Sequence, residues 1–313
     1  MTYTIVPLTM ENYECFVRES GSNLPALREI QLQDKRCSSE TILHRIGLVT
    51  PEGRLLGFAM AVTGSWDPIL RPGYFEVNVS VDMDWRRRGL GKKLYAEVVK
   101  FCSEHQAVAL QTMIGETQHE GIAWAERRGF TKELHTFTSE LDLSRFQPNV
   151  LMDSLSTAEA NGFRFTSLAE YPQDDESFRR FADFYWDLVL DVPGMEEKPR
   201  PSFEEMKRVF LDAAIWDPEG VILCLDGHQW AAMSFVIKRS ADVYYHNLTG
   251  VHRDYRGRGL ALAIKLKAAA YAKQRGAKSI LTHNDSTNAR MLTVNQKMGY
   301  ERKPGLYQLV NKM

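Results

Sequence analysis

Apolar and polar residues alternate in two segments of the chain, and each segment leads into a helical pattern. Tyr74–Val81 carries apolar side chains at every second position, which is typical of a half-buried strand. In Leu90–Phe101, apolar residues then recur on one helical face. Val243–Val251 predicts a second strand, and Leu260–Arg275 predicts a second helix that ends at Gly276. Both halves of the chain therefore predict a strand, a turn and a helix in that order.

Each half repeats one longer order of elements: a strand, helices, several antiparallel strands, the turn, a helix, a strand, a helix and a closing strand. We predict the closing strands at Phe137–Leu143 and Tyr307–Val310. This order is typical of an α+β fold with two tandem domains, each a mixed, mostly antiparallel sheet flanked by helices. Ser144–Asn161 is rich in polar and turn residues, so the domains are predicted at residues 1–150 and 160–313. The length of 313 residues suits two cores rather than one.

Composition argues against several classes of partner. The chain is 44% apolar and 25% charged with a formal net charge of −1, which predicts neither nucleic acid nor an anionic membrane as a partner. The absence of a signal peptide and of any run of about 18 apolar residues predicts a cytoplasmic protein. We expect a monomer or a homodimer. The cysteines lie far apart without a histidine cluster, so we predict no metal site and four reduced packing residues, Cys15, Cys37, Cys102 and Cys224.

Two segments that contain arginine and glycine lie 170 residues apart, at 81–91 (VDMDWRRRGLG) and 251–261 (VHRDYRGRGLA). Each stands where a helix begins, so unpaired backbone N–H groups and the helix dipole attract an anion. Glycines let the backbone approach phosphate oxygens, and arginines add charge-assisted hydrogen bonds. A plain glycine turn with solvated arginines is the alternative, and the duplication argues against it. The predicted diphosphate-binding residues are Val81, Arg86, Arg87, Arg88, Gly89, Leu90 and Gly91 in the first segment and Val251, Arg256, Gly257, Arg258, Gly259, Leu260 and Ala261 in the second.

These segments resemble the acyl-CoA pyrophosphate loop of the GNAT superfamily of N-acetyltransferases. Residues 288–300 (NARMLTVNQKMGY) are similar to a second motif of that family, Asn-x-x-Ala/Met-x-x-x-Tyr-x-x-x-Gly-Phe. The resemblance covers nearly the whole chain as two tandem GNAT domains, the layout of mycothiol synthase-like bacterial acetyltransferases. It implies acetyl-CoA as the co-substrate. It also adds Asn288 to the CoA-binding residues, a role that is compatible with capping its helix.

The two halves differ in this downstream motif. The family's asparagine and tyrosine positions hold Gln118 and Ala125 in the first half, but Asn288 and Asn295 in the second. Neither half has the tyrosine that would act as the general acid. The resemblance to tandem members implies that the C-terminal domain is catalytic. The N-terminal domain would be a degenerate copy, with or without CoA binding.

Transfer to an amine requires that a proton be removed, because a free alkyl amine has a pKa near ~10. The family's base position corresponds to Tyr245, which we expect to share a strand face with Asn247, Thr249 and Val251 and to relay a proton through water. A core aromatic is the alternative for Tyr245. His246 is expected on the opposite face. The aligned residue of the first half is Phe75, which cannot titrate.

The remaining roles follow from the resemblance as well. The backbone N–H of Val251 would stabilise the oxyanion. Asn295 would orient the CoA thiol or a water, or is a buried amide of its helix. The sequence thus predicts an acetyl-CoA-dependent N-acetyltransferase that transfers acetyl to a primary amine of a small molecule by direct attack, with Tyr245 and Asn295 as catalytic candidates. The alternative is a non-catalytic acyl-CoA sensor, which fits the missing tyrosine.

Overall fold

The computed structural model describes residues 2–9, 12–13, 24–25, 30–31, 34, 37, 41–64, 70–146, 152–212 and 216–313. These residues form twelve strands and seven α-helices. The strands are β1 (Thr4–Pro7), β2 (Ile42–Val49), β3 (Leu55–Thr63), β4 (Tyr74–Val81), β5 (Ala109–Gly115), β6 (Thr131–Asp142), β7 (Phe163–Ser167), β8 (Val221–Asp226), β9 (Gln229–Lys238), β10 (Val243–Val251), β11 (Ser279–Asp285) and β12 (Glu301–Lys312). The helices are α1 (Leu90–Glu104), α2 (His119–Glu126), α3 (Met152–Ala160), α4 (Asp175–Val189), α5 (Phe203–Lys207), α6 (Leu260–Gln274) and α7 (Ala289–Met298).

The first compact unit comprises Met1–Leu134 and Leu306–Met313. Its strands lie in the order β1-β2-β3-β4-β5-β12, and only the pair β4–β5 is parallel. The apolar face of α1 predicted from the sequence packs on this sheet, where Leu94 joins Phe75 and Val77 in one buried cluster. This packing holds the start of α1 directly beyond the end of β4.

The second unit comprises His135–Gly305. Its strands lie in the order β6-β11-β10-β9-β8-β7, and again only one pair, β10–β11, is parallel. One face of the sheet packs on α6, in a core that includes Tyr244, Ile264 and Ile280. The other face packs on α4, in a core that includes Phe181 and Leu248. We refer to these as the α6 face and the α4 face.

The closing strands differ from the prediction. Phe137–Leu143 was expected to complete the first domain, but Thr136–Asp142 pairs with β11 of the second unit. Tyr307–Val310 was expected to complete the second domain, but Leu306–Lys312 pairs with β5 of the first unit. An alternating pattern specifies a face and not a partner strand, so the sequence could not distinguish the two edges. The units therefore differ from the contiguous ranges 1–150 and 160–313, and residues 147–151 of the predicted boundary lie outside the described part of the chain.

Two cysteines lie in the cores. Cys102 is buried in the first unit and Cys224 in the second, and burial raises the pKa of each thiol to about 12. Cys15 lies outside the described residues. Because these thiol pKa values lie well above 7, thiolate chemistry at Cys102 or Cys224 is unfavourable at neutral pH.

Within the described ranges, no helix combines the length and the apolar character needed to cross a membrane.

Candidate active site

The second arginine and glycine segment forms an open turn of backbone amides at the start of α6. Gly257 and Gly259 take left-handed φ angles of 78° and 75°, and a Cβ at either position would meet no atom within 4 Å. Gly259 is the N-cap of α6, and no side chain caps the helix. In the part of the chain that the structure describes, no protein group accepts a hydrogen bond from the N–H groups of residues 257–261. The turn is thus built to bind an anion.

Two arginines are held beside these amides. Arg256 donates from Nε to the carbonyl oxygen of Val251 at 3.2 Å and also pairs with Asp191. Arg258 donates to the carbonyl oxygen of Asp254 at 3.4 Å. Because these bonds fix the guanidinium groups at the turn, the positive charge is concentrated where a diphosphate would contact the amides.

The first segment has nearly the same geometry. Arg86 donates from Nε to the carbonyl oxygen of Val81 at 3.2 Å, and Gly89 is the left-handed N-cap of α1 with a φ of 81°. Arg88 donates to the carbonyl oxygen of Asp84 at 3.2 Å. Arg87 stands where the second turn has Gly257 and takes a φ of 63°, a region that is costly for a residue with a Cβ. The backbone of the first turn therefore follows the same path as that of the second, but Arg87 is strained where the second turn has a glycine.

A cleft opens beside each turn because the parallel strands separate. In the second unit β10 and β11 pair only over Val243–His246 and Ser279–Thr282, and both strands continue without pairing to each other. The N–H of His252 bonds to β9, so the N–H groups of Thr249 and Val251 point to the other side, into the gap. In the first unit β4 and β5 pair only over Tyr74–Glu76 and then separate in the same way.

Strand β10 contains a β-bulge that β4 lacks. The pairing of β10 with β9 shifts between His246 and Leu248, whereas the pairing of β4 with β3 is regular. The extra residue is Asn247, and it reverses the alternation of side chains beyond it. The expectation that Tyr245 shares a face with Thr249 and Val251 is therefore wrong.

The contacts on both sides of the bulge define the two faces. Tyr245 and Asn247 lie on the α4 face, whereas Thr249 bonds through Oγ1 to Ser234 at 2.9 Å on the α6 face. Counting back through the bulge also places Glu76, and not Phe75, at the position that corresponds to Tyr245. A bulge leaves no distinct hydrophobic pattern, so counting along the sequence from the two turns pairs Tyr245 with Phe75, one residue away from the true counterpart.

A polar cluster lines the α4 face where β10 and β11 separate. The Tyr185 hydroxyl donates to Oδ1 of Asn247 at 2.8 Å. Burial, and then the proximity of Tyr245, raises the pKa of Tyr185. Burial also raises the pKa of Tyr245, and Arg239 lies 4.9 Å from the centre of its ring. Both tyrosines are therefore protonated at neutral pH and can donate hydrogen bonds.

His283, which the sequence pattern does not indicate, belongs to the same cluster. His283 is the first residue of β11 beyond its pairing with β10, and its Nδ1 lies 3.5 Å from Oγ1 of Thr138. Thr282 and Asn284 are buried on the α6 face, so His283 faces the α4 side and remains exposed. The available signal was the polar end of the strand, Thr282–Asp285, next to a predicted parallel pair.

Buried polar groups occupy the α6 face behind the cleft. His246 bonds through Nδ1 to the Tyr300 hydroxyl at 2.7 Å, and no partner contacts its Nε2 within the described ranges. Lys265 on α6 is 1% exposed, with Nζ 4.9 Å from the centre of the Tyr300 ring. Burial lowers the pKa of Lys265 to about 7, and burial together with Lys265 lowers the pKa of His246. His246 thus lies on the face predicted for it, away from the α4 side.

Helix α7 carries the two asparagines of the downstream motif. Asn288 caps the helix by accepting from the N–H of Met291 at 3.2 Å, which is the capping role considered from the sequence. Asn295 is 3% exposed and donates from Nδ2 to Oδ1 of Asn284 at 2.6 Å, while its own Oδ1 has no partner among the described residues. Asn284 in turn donates to Ser139 at 2.9 Å. Asn295 therefore ties α7 to β11 at the edge of the cleft.

Solved structures resemble the chain along its whole length. A GCN5-related N-acetyltransferase from Sphaerobacter thermophilus has a TM-score of 0.70 and 16% identity, over 99% of this chain and 95% of that one. A tandem GNAT protein from the clavulanic acid biosynthesis pathway has a TM-score of 0.66 and 19% identity, over 99% and 98%. A glucosamine N-acetyltransferase region of a fungal multi-domain β-N-acetylglucosaminidase has a TM-score of 0.68 and 11% identity, over 99% of this chain and 38% of that one. No curated protein sequence matches significantly.

The sequence also matches a protein family in both units. The model of the acetyltransferase (GNAT) family matches residues 9–139 and residues 181–300, one region for each arginine and glycine turn. The open amide turns, the separated parallel strands and the tandem neighbours agree with this match. The chain therefore belongs to the GNAT family of acyl-CoA-dependent N-acetyltransferases and carries the family's fold twice in tandem.

Proposed function

We propose that the second unit transfers an acetyl group from acetyl-CoA to a primary amine of a small molecule by direct attack. The first unit would be a degenerate copy that keeps the turn. The observation that carries the proposal is the conjunction, in one unit, of the open amide turn, the gap between β10 and β11, and the polar cluster on the α4 face. The first unit has the turn and the gap, and Glu76 stands at the position of Tyr245, but its β4 is regular and has no counterpart of the bulged Asn247.

The path of acetyl-CoA follows from these features. The diphosphate would bind the amides of residues 257–261 with Arg256 and Arg258. The pantetheine arm would then run back along β10, because that is the direction in which the gap leads. One of its amide carbonyls would accept from the N–H of Val251. The thioester carbonyl would accept from the N–H of Thr249, which lies deeper in the cleft and would take the oxyanion role that the sequence predicts for Val251. Asn288 would support the site as the cap of α7.

The acceptor amine would enter from the α4 face, since polar side chains and the exposed His283 lie there at the opening between β10 and β11, whereas the polar groups of the α6 face, His246 and Lys265, are buried. Tyr185, Tyr245 and Asn247 supply hydrogen-bond donors and acceptors there. Tyr245 would position the amine or a water and would not act as the base, because its pKa is raised. Asn295 would be a positioning residue that holds α7 on β11. The leaving thiolate resembles a cysteine thiolate, with a pKa of about 8.5, and needs no dedicated acid.

A non-catalytic acyl-CoA sensor is the second candidate. Asn295 favours it, because the side chain at the family's general-acid position is buried and bonded to Asn284. A screen for CoA release with sugar amines, polyamines, amino acids and peptide N-termini distinguishes the enzyme from the sensor. Turnover of any of these amines supports the enzyme, whereas saturable acetyl-CoA binding without turnover supports the sensor.

Calorimetric titration with acetyl-CoA tests the binding turn. We expect micromolar affinity in the wild type and a loss of at least about 100-fold in Gly259→Glu, because the new carboxylate would repel the diphosphate from the amides. Gly276→Glu is the matched control. Gly276 has a similar left-handed φ of 85° and an equally open surrounding, but it lies beyond the other end of α6. Equal affinity in Gly259→Glu and Gly276→Glu would refute the proposed turn.

A further inference from the structure

A histidine stands where an acceptor amine would meet the thioester. The parallel pairing of β10 and β11 ends at His246 and Thr282, so His283 is next to the bulged Asn247 across the opening of the gap. Its side chain projects to the α4 face, the side from which the acceptor would enter. The backbone N–H of His283 is also close enough to the Tyr245 hydroxyl to act on its pKa, which it lowers against the larger effect of burial. His283 and Tyr245 thus meet at the point where the strands separate.

The neighbour of His283 fixes which ring nitrogen is available. Thr138 lies directly opposite on β6, with its hydroxyl 3.5 Å from Nδ1. When Nδ1–H donates to this hydroxyl, the lone pair of Nε2 can accept a proton. His283 is exposed at the opening, but the protein around its ring removes part of the solvent, and this partial desolvation lowers its pKa, so the neutral ring predominates at pH 7. The hydrogen bond is long, as such bonds often are before a substrate is bound.

Other titratable groups on this face are less suited to accept a proton. Tyr185 and Tyr245 have raised pKa values and keep their protons. Glu140 pairs with Lys303 at 2.9 Å, and this hydrogen bond lowers the pKa of the carboxylate. The titratable and charged groups around His283 include Glu140 on β6, Tyr245 on β10, Lys303 on β12, Tyr185 on α4, and Arg239 beside Tyr245. Asp285, two residues along β11, accepts from the hydroxyl of Thr287, and His135 on β6 contacts Arg302 on β12, so each of these groups has a partner of its own.

We propose that His283 is the general base of the acetyl transfer proposed above, with Thr138 as its positioning residue. Nε2 takes a proton from the acceptor ammonium, and the neutral amine nitrogen attacks the thioester carbonyl carbon. This attack forms the C–N bond of the amide, and the C–S bond of the thioester breaks. A second proton then passes from the nitrogen to the departing CoA sulfur. The proton on Nε2 then leaves to solvent. The products are the N-acetylated amine, CoA thiol and one proton, and no other reactant is needed.

The test is the pH dependence of kcat/KM for the amine of highest turnover in the screen described above. We expect His283→Gln to lower kcat/KM at pH 7 by at least about 100-fold, the usual effect of a general base. The wild-type rate should reach a plateau above the histidine pKa, whereas the rate of His283→Gln should keep rising about tenfold per pH unit toward the pKa of the amine. The affinity for acetyl-CoA should stay within about twofold.

Two further variants separate catalysis from a structural role. Added imidazole should restore part of the activity of His283→Ala, which a merely structural defect would not allow. His228→Gln, an exposed histidine in a turn of the same unit, should behave as the wild type. A rate within threefold of wild type with an unchanged pH profile in His283→Gln would overturn the role of His283 and leave the proposed function intact. Absence of turnover with every amine in the wild type would overturn both.

Discussion

The two arginine and glycine turns have nearly the same backbone, but the residues beneath them differ in kind. Counting from each turn, five buried or half-buried positions of the second unit are polar or charged where the first unit has mainly apolar side chains. The pairs are His246 and Val77, Lys265 and Tyr95, Asn284 and Ile114, Asn295 and Ala125, and Tyr300 and Phe130. The first unit has thus kept the anion-binding turn and filled the region behind its cleft with ordinary core residues.

This difference indicates where function constrains the chain. Buried polar groups lower stability unless each is satisfied, and His246 and Asn295 each retain an atom without a partner in the described ranges. In the first unit a stability cost lies at the turn itself, where Arg87 takes the left-handed conformation that Gly257 takes in the second. Groups that cost stability are expected at functional sites, so the second unit is the better candidate for the chemistry.

Replacing Lys265 removes the most costly of these differences. We expect Lys265→Met to raise the free energy of unfolding at pH 7 by about 1–4 kcal/mol, as for other buried charges replaced by apolar residues. Between the folded pKa of about 7 and the ordinary 10.5, the unfolded chain binds the proton and the folded chain does not. Wild-type stability should therefore rise with pH in this window by up to about 1.4 kcal/mol per unit, and Lys265→Met should lack this rise. Urea unfolding at pH 7, 8 and 9 measures both effects.

Lys267→Met is the control, because Lys267 lies on the same helix with 37% of its side chain exposed. It should keep the wild-type pH slope. Parallel stability curves for Lys265→Met and the wild type would contradict the lowered pKa of the buried Lys265.

Asn284 and Asn295 can be replaced by the residue types at the corresponding positions of the first unit, which are Ile114 and Ala125. Asn295→Ala alone should cost about 1–3 kcal/mol, because Oδ1 of Asn284 would be buried without a donor. The double variant Asn284→Ile/Asn295→Ala should recover part of this loss, since both partners then match the apolar pair of the first unit. Thermal unfolding of the single and double variants measures the coupling. Additive losses would show that the two side chains act independently.

The smallest expected effect concerns Asp191, which pairs with Arg256 at the second turn. At the first turn, Arg87 lies 3.9 Å from Glu120, and both side chains are almost fully exposed. Asp191→Asn should tighten acetyl-CoA binding by about twofold to fivefold, because a partly exposed carboxylate competes with the diphosphate. Glu120→Gln should have no measurable effect. Calorimetry at low and high salt checks both, and weaker binding in Asp191→Asn would mean that Asp191 orients Arg256 instead.

The sequence predicts local features well and long-range ones poorly. The turns, the helices that follow them, and the cap at Asn288 depend on residues close in the chain, and they could be identified from the sequence. The partners of β6 and β12 could not, because either strand has a pattern that fits either sheet edge. The bulge at Asn247 reversed the expected faces of Thr249 and Val251. His283 became visible only when the end of the β10–β11 pairing was known.

Amine acetylation by the paired variants Gly89→Glu and Gly259→Glu tests the central claim most directly. Both glycines are left-handed N-caps with open surroundings, so the two substitutions impose the same strain and charge on the two turns. We predict that Gly259→Glu loses at least about 100-fold in kcat/KM for acetyl-CoA and that Gly89→Glu stays within about threefold of the wild type. The opposite order, or equal losses in both variants, would contradict the assignment of catalysis to the second unit.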